Sequence, residues 1–124
     1  MNNYNVSELV LKEVRYNFTK PETETVTVSI RDNIEILAIF ENQAKLEAKR
    51  EMYFHPRKEP IIVVSYEVSI EHNEAITKDD LLDSLNKSIN LVPVYSKISL
   101  LISQITNMSP IGPLVTPPSY VDEK

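Results

Sequence analysis

The chain has 124 residues, a formal net charge of −5 at pH 7 and no cysteine. Its length suits one domain with one core, and a content of 42% hydrophobic and 25% charged residues is that of a globular chain rather than a disordered one. The lack of cysteine excludes disulfides, thiolate nucleophiles and cysteine zinc sites, and the acidic balance without a basic stripe argues against a nucleic-acid partner.

The start of the chain, Met1 to Asn5, has neither the charged nor the apolar part of a signal peptide. No apolar run approaches the roughly 18 residues that are needed to cross a bilayer. We therefore expect a cytoplasmic protein with no membrane insertion.

Residues 4–71 are predicted to be rich in strands. The first strand lies within Tyr4 to Phe18, and its apolar positions change phase between Leu11 and Val14, which predicts a bulge or a bend.

Thr25 to Ile30 and Ile34 to Phe40 predict two further strand segments. Asp32-Asn33 lies between them and is interpreted as a two-residue turn, although no glycine supplies a positive φ there.

Ala44 to Arg50 is ambiguous, because its composition favours a helix whereas its apolar positions have a period of two. We predict a strand there. The clearest strand follows over Ile62 to Ile70, in which alternate residues are apolar and Glu67 lies on the polar side.

Residues 77–108 are predicted to be helical. Thr77 can accept a backbone N–H at the helix start, and the aspartates that follow favour the positive end of the helix dipole. Pro93 either kinks this helix or begins a second one. The part before Pro93 has one apolar face, formed by Leu81, Leu82, Leu85 and Ile89. The part after it has an apolar stripe wide enough to contact both the chain's own sheet and another subunit. This stripe comprises Leu91, Val94, Tyr95, Ile98, Leu101, Ile102, Ile105 and Met108.

The tail over residues 109–124 is rich in proline and predicted to be extended because of Pro117-Pro118. Taken together, the elements predict a single α+β domain over residues 1–124. It would consist of an antiparallel sheet of about four strands followed by one or two C-terminal helices packed on one face.

Catalytic signals are weak. His55 and His72, the two histidines, are expected at turns or on the surface and have no metal-ligand spacing around them. One glycine in the chain excludes a glycine-rich phosphate loop, and no serine lies in a nucleophile elbow. We expect neither an enzyme nor a bound cofactor or metal.

Three features of the C-terminal third occur together: the run Leu91-Val92-Pro93-Val94-Tyr95, a helix rich in Ile and Leu, and the extended segment from Pro113 to Tyr120. In this combination the chain resembles the SecB protein-export chaperone family. It looks most like the divergent members from Gram-positive bacteria or those associated with toxin–antitoxin systems.

The resemblance implies a chaperone that works without ATP and binds unfolded or nascent polypeptides in apolar grooves. It also implies a homotetramer built as a dimer of dimers, which would deliver clients to the SecA export motor or protect an antitoxin. Exposed apolar surface and a net charge that maintains solubility agree with such a role.

The resemblance also assigns candidate sites. Glu67 corresponds to the acidic residue that meets the motor, and a solvated strand charge is the alternative. For the remaining residues, ordinary core packing is the alternative. The candidates for client binding are Tyr16, Phe18, Leu114, Val115 and Tyr120, and those for the oligomer interface are Val94, Tyr95, Ile98, Leu101, Ile102 and Ile105.

Two other functions stay open at this point. A structural or adaptor protein would use the same fold to bind one fixed protein partner, without general affinity for unfolded chains. A small hydrolase or metal enzyme that uses His55 or His72 is the third hypothesis.

Overall fold

The computed structural model describes residues 4–17, 27–54, 58–87, 91–107 and 113–118. Four strands form one antiparallel sheet in the order β1-β4-β3-β2 and are followed by two helices, which confirms the α+β fold. The elements are β1 (Asn5–Tyr16), β2 (Val28–Phe40), β3 (Gln43–Phe54), β4 (Ile62–Glu71), α1 (Lys78–Lys87) and α2 (Val92–Thr106).

The register of the sheet gives two faces with opposite character. The face that α2 covers, here called the helix face, is mostly apolar, and α2 packs on its two central strands, β4 and β3. The other face, here called the outer face, carries most of the charged strand residues. The helix-face rows, read from β1 to β2, are Val6–Ile70–Ala44–Ile39, Leu9–Val68–Leu46–Ile36, Leu11–Tyr66–Ala48–Ile34, Val14–Val64–Arg50–Asp32 and Tyr16–Ile62–Met52–Ile30.

The phase change in β1 is produced by a bulge, as predicted. The pairing of β1 with β4 shifts between Leu11 and Glu13, so that Lys12 is the additional residue. Because a bulge residue reverses the alternation, Leu11 and Val14 both lie on the helix face.

The predicted turn at Asp32-Asn33 is wrong. Both residues lie inside β2, a continuous strand of 13 residues. The hairpin turn is at Glu41-Asn42, and Glu41 has φ 50°, the left-handed conformation that a tight turn can require even without glycine. A charged residue interrupts the apolar series of β2 because it is paired across the sheet, as described below.

The ambiguous segment Ala44 to Arg50 is a strand, as predicted. β3 lies between β2 and β4, and its alternate residues from Ala44 to Phe54 are buried. Pairing on both edges outweighs the modest helix propensity of the segment, since tertiary context routinely overrides propensity.

The helices begin largely as predicted. The Thr77 hydroxyl accepts the backbone N–H of Asp80 at 3.3 Å and caps α1. Leu81 is buried, but Leu82 is 46% exposed, so the apolar face of α1 is narrower than predicted, and Ile89 lies outside the described residues.

Pro93 occupies the first turn of α2, a separate second helix. Met108, the predicted helix end, also lies outside the described residues. In the described part of the chain, no helix combines the length and apolar character needed to cross a membrane.

Candidate functional site

The helix face of β1 extends beyond the cover of α2. β1 is the edge strand next to β4, and its helix-face side chains continue the core toward solvent. Leu11 is 47% exposed and Val14 is 39% exposed, whereas Tyr16 is half-buried and packs against the core. These side chains, together with Leu9, form an apolar strip that we call the β1 flank. The client-binding role of Tyr16 stays a prediction, and Phe18 lies outside the described residues.

Residues 113–118, here called the tail segment, lie against α2 in an extended conformation. Leu114 packs against the core, Val115 is 84% exposed, and Thr116 is buried. This alternation is that of a strand with one face covered. The described hydrogen-bond partners of the tail segment are Arg50, Ser99 and Thr106. Tyr120, the last client-binding candidate, lies outside the described residues.

Hydrogen bonds hold the tail segment at three positions. The amide of Leu114 donates to Thr106 Oγ1 at 2.7 Å, and Ser99 Oγ donates to the carbonyl oxygen of Thr116 at 2.6 Å. Arg50 Nη1 donates to Thr116 Oγ1 at 2.9 Å and to the carbonyl oxygen of Pro117 at 2.6 Å. The tail segment is consequently fixed to both α2 and β3.

Arg50 is also half of a buried ion pair with Asp32. Its Nε and Nη2 atoms each donate to a different carboxylate oxygen at 2.7 Å, and neither side chain has any exposed area. The guanidinium carbon lies 5.2 Å from the centroid of the Tyr95 ring, within cation–π range. One arginine therefore connects β2, β3, α2 and the tail segment.

The sequence contained a signal for this pair that was missed. Arg50 occupies the only charged position in the alternating series Ala44, Leu46, Ala48, Met52 and Phe54. Asp32 likewise interrupts Ile30, Ile34 and Ile36. Opposite charges that interrupt apolar series on neighbouring strands indicate a buried pair, since an isolated buried charge is too costly to be kept.

Glu67 lies on the outer face, as its alternation predicted. It stands in the row Val10–Glu67–Glu47–Glu35, in which three carboxylates on adjacent strands are directly opposite one another. Such like-charge pairs destabilise a sheet, and two lysines offset the repulsion. Lys45 Nζ lies 3.3 Å from Glu67 Oε1, and Lys12 Nζ lies 3.2 Å from Glu47 Oε2.

The residues predicted for the oligomer interface divide into two groups. Val94, Tyr95, Ile98 and Ile102 have 0% exposure and pack the core of this single chain. Leu101 and Ile105 keep part of their area accessible on one flank of α2. Two other apolar residues of α2 are accessible, although the predicted apolar stripe does not include them. Val92 is 48% exposed and Leu100 is 59% exposed. The interface itself stays a prediction.

His72 directly follows β4, as expected, and its side chain is buried. Its ring stacks on Tyr4 with centroids 4.5 Å apart, and its Nδ1 lies 3.2 Å from the backbone nitrogen of Glu74. His55 lies outside the described residues. Among the described residues, no group of three or more His, Cys, Asp or Glu side chains is placed to hold a metal ion.

Comparison with solved structures identifies a chaperone with the same architecture. A SecB-like chaperone of Mycobacterium tuberculosis, in complex with a ChAD peptide from the HigA1 antitoxin, aligns with a TM-score of 0.67 and 10% sequence identity over 92% of this chain and 89% of that chain. The chain has the SecB-like fold. The resemblance carried by the C-terminal third of the sequence is thus confirmed for the fold as a whole.

The remaining comparisons are a second solved structure and two sequence searches. A protein of unknown function from Streptococcus agalactiae aligns with a TM-score of 0.46 and 9% identity over 94% of this chain and 98% of that chain. No family model matches the sequence, and no curated protein matches it.

Proposed function

We propose that this protein is a chaperone that works without ATP and without catalysis, and that it binds unfolded or nascent polypeptides. The observation that carries the proposal is the β1 flank, an apolar strip that continues the core into solvent in a fold shared with a peptide-bound chaperone. Exposed apolar strips of this kind are typical of protein-binding surfaces. Binding an unfolded chain is itself the activity, so no catalytic group is required.

The antitoxin peptide bound to the Mycobacterium neighbour favours a client of the same kind over an export client. In this proposal the cytoplasmic protein protects an aggregation-prone segment of an antitoxin. Delivery to SecA is the second possibility, and it would use Glu67 and the acidic row of the outer face.

We also propose a dimer of dimers. The apolar residues that α2 leaves accessible, chiefly Leu100 and Val92, supply surface for contacts between copies. Burial of such side chains between copies is favourable at roughly 25 cal/mol for each Å² of apolar area.

The test combines light scattering of the protein alone with light scattering of a reduced model protein that aggregates in its presence. A tetrameric mass and suppressed aggregation would support both proposals. Leu11→Ser should weaken suppression, and Val10→Ser is its matched control, because the two side chains are adjacent and 47% exposed but lie on opposite faces of β1. A monomer that leaves aggregation unchanged would contradict the chaperone role and favour an adaptor with one fixed partner.

A further inference from the structure

The tail segment is held largely through its main chain. Three of its four described hydrogen bonds use backbone atoms: the amide of Leu114 and the carbonyl oxygens of Thr116 and Pro117. The bond from Arg50 to the Thr116 hydroxyl is the one that depends on a side chain of the segment. Any extended polypeptide offers the same amide and carbonyl groups.

The side chains of the segment impose few further requirements. Leu114 contributes an apolar contact to the core, Val115 points to solvent, and Thr116 fills a small buried position. A segment with one apolar residue and one small residue two positions later would satisfy both inner positions, because alternate residues of an extended chain share a face.

Arg50 has one nitrogen available for an extended chain. The pairing with Asp32 uses Nε and Nη2, while Nη1 donates to the tail segment. Departure of the tail segment would remove both acceptors of Nη1, and a carbonyl oxygen of an arriving chain could replace them. The donor that holds the tail segment is therefore also suited to hold a client segment.

We propose that Arg50, Ser99 and Thr106 form a binding site for the main chain of an extended polypeptide, which residues 114–117 of the tail segment occupy until a client segment displaces them. This inference rests on the proposed function, since it names the site at which a client would bind in addition to the β1 flank. The tail segment then acts as an internal competitor that lowers the apparent affinity for clients by the fraction of molecules in which the site is open.

Two substitutions distinguish the effect of the tail segment, the competitor, from the effect of the binding site itself. Thr116→Val removes a hydroxyl acceptor of the tail segment but leaves every group that a client would contact. One net hydrogen bond corresponds to about a fivefold change in an equilibrium, so this variant should bind a reduced and carboxymethylated model protein about fivefold more tightly. Ser99→Ala removes a donor that both chains use, and it should bring no such gain. Ser103→Ala, on the same helix, is the control for the helix substitution.

Hydrogen exchange of the unaltered protein provides a second measurement. The Leu114 amide should exchange at least about tenfold faster when the site is saturated with the carboxymethylated probe, because the bond to Thr106 then passes to the client. If the probe binds while Leu114 exchange is unchanged, or if Thr116→Val binds it no more tightly, the inference is overturned and the proposed function stands. If neither the unaltered protein nor Thr116→Val binds the probe, the proposed function itself fails.

Discussion

Removing Asp32 should destabilise the protein severely. Asp32→Leu keeps the number and branching of the side-chain heavy atoms but leaves the Arg50 guanidinium buried without the carboxylate that accepts its two hydrogen bonds at 2.7 Å. Breaking a buried ion pair by removing one partner costs about 3–5 kcal/mol. Domains of this size have roughly 5–15 kcal/mol of unfolding free energy, so the loss would be a large share of the total.

The double variant Asp32→Leu/Arg50→Met should recover most of that loss. It replaces both charges by apolar groups of similar branching and length, and apolar replacements of buried pairs are often neutral or stabilising. The recovery would be incomplete, because Met has no donor for Thr116 and Pro117, which Arg50 now holds. Arg50→Met alone should be about as damaging as Asp32→Leu, because it leaves the carboxylate buried and unpaired.

Urea unfolding followed by circular dichroism measures these free energies, provided that the dependence on urea stays the same among variants. Arg15→Met is the matched control, because Arg15 pairs with Glu13 at 2.9 Å but its side chain is 64% exposed. That control should cost less than about 1 kcal/mol. If Asp32→Leu were no more damaging than Arg15→Met, the argument that the pair is desolvated would be refuted.

Three further predictions concern the helices. Leu81→Ala should lower the unfolding free energy by about 2–5 kcal/mol, whereas Leu82→Ala, at 46% exposure, should lower it by less than about 1 kcal/mol; equal losses in urea unfolding would contradict the packing of α1. Thr77→Ala should cost about 1 kcal/mol through loss of the cap to the Asp80 amide, and an unchanged urea midpoint would show that the 3.3 Å contact contributes nothing. Ile98→Ala should lower the unfolding free energy of the monomer by about 2–5 kcal/mol. Leu100→Lys should leave the folded monomer intact and reduce the mass measured by light scattering. An unchanged mass would exclude Leu100 from an interface.

Local alternation predicted most of the sheet. The period of two in β3 and β4 placed their apolar residues on the helix face and Glu67 on the outer face, because in a strand the side-chain direction follows directly from the sequence. The same logic placed the bulge near Lys12. The turn prediction at Asp32-Asn33 is wrong because turn propensity is a local property, whereas Asp32 is held inside β2 by its pairing with Arg50 on the neighbouring strand.

The functional surfaces were harder to predict, because they depend on contacts between distant parts of the chain. A wide apolar stripe on a helix does not distinguish the chain's own core from a partner's surface, and Ile98 proved to be core while Leu100 is exposed. The hydrogen bond between Arg50 and Thr116 joins residues far apart in sequence, and no local sequence pattern predicts it.

Direct titration of a labelled, reduced and carboxymethylated protein by fluorescence anisotropy tests the central claim, that the β1 flank binds unfolded polypeptide. The account predicts saturable binding that Leu11→Ser and Val14→Ser each weaken about fivefold, since each half-exposed side chain would bury apolar area worth about 1 kcal/mol, while Val10→Ser binds like the unaltered protein. No binding at any concentration, or equal losses in Leu11→Ser and Val10→Ser, would contradict it.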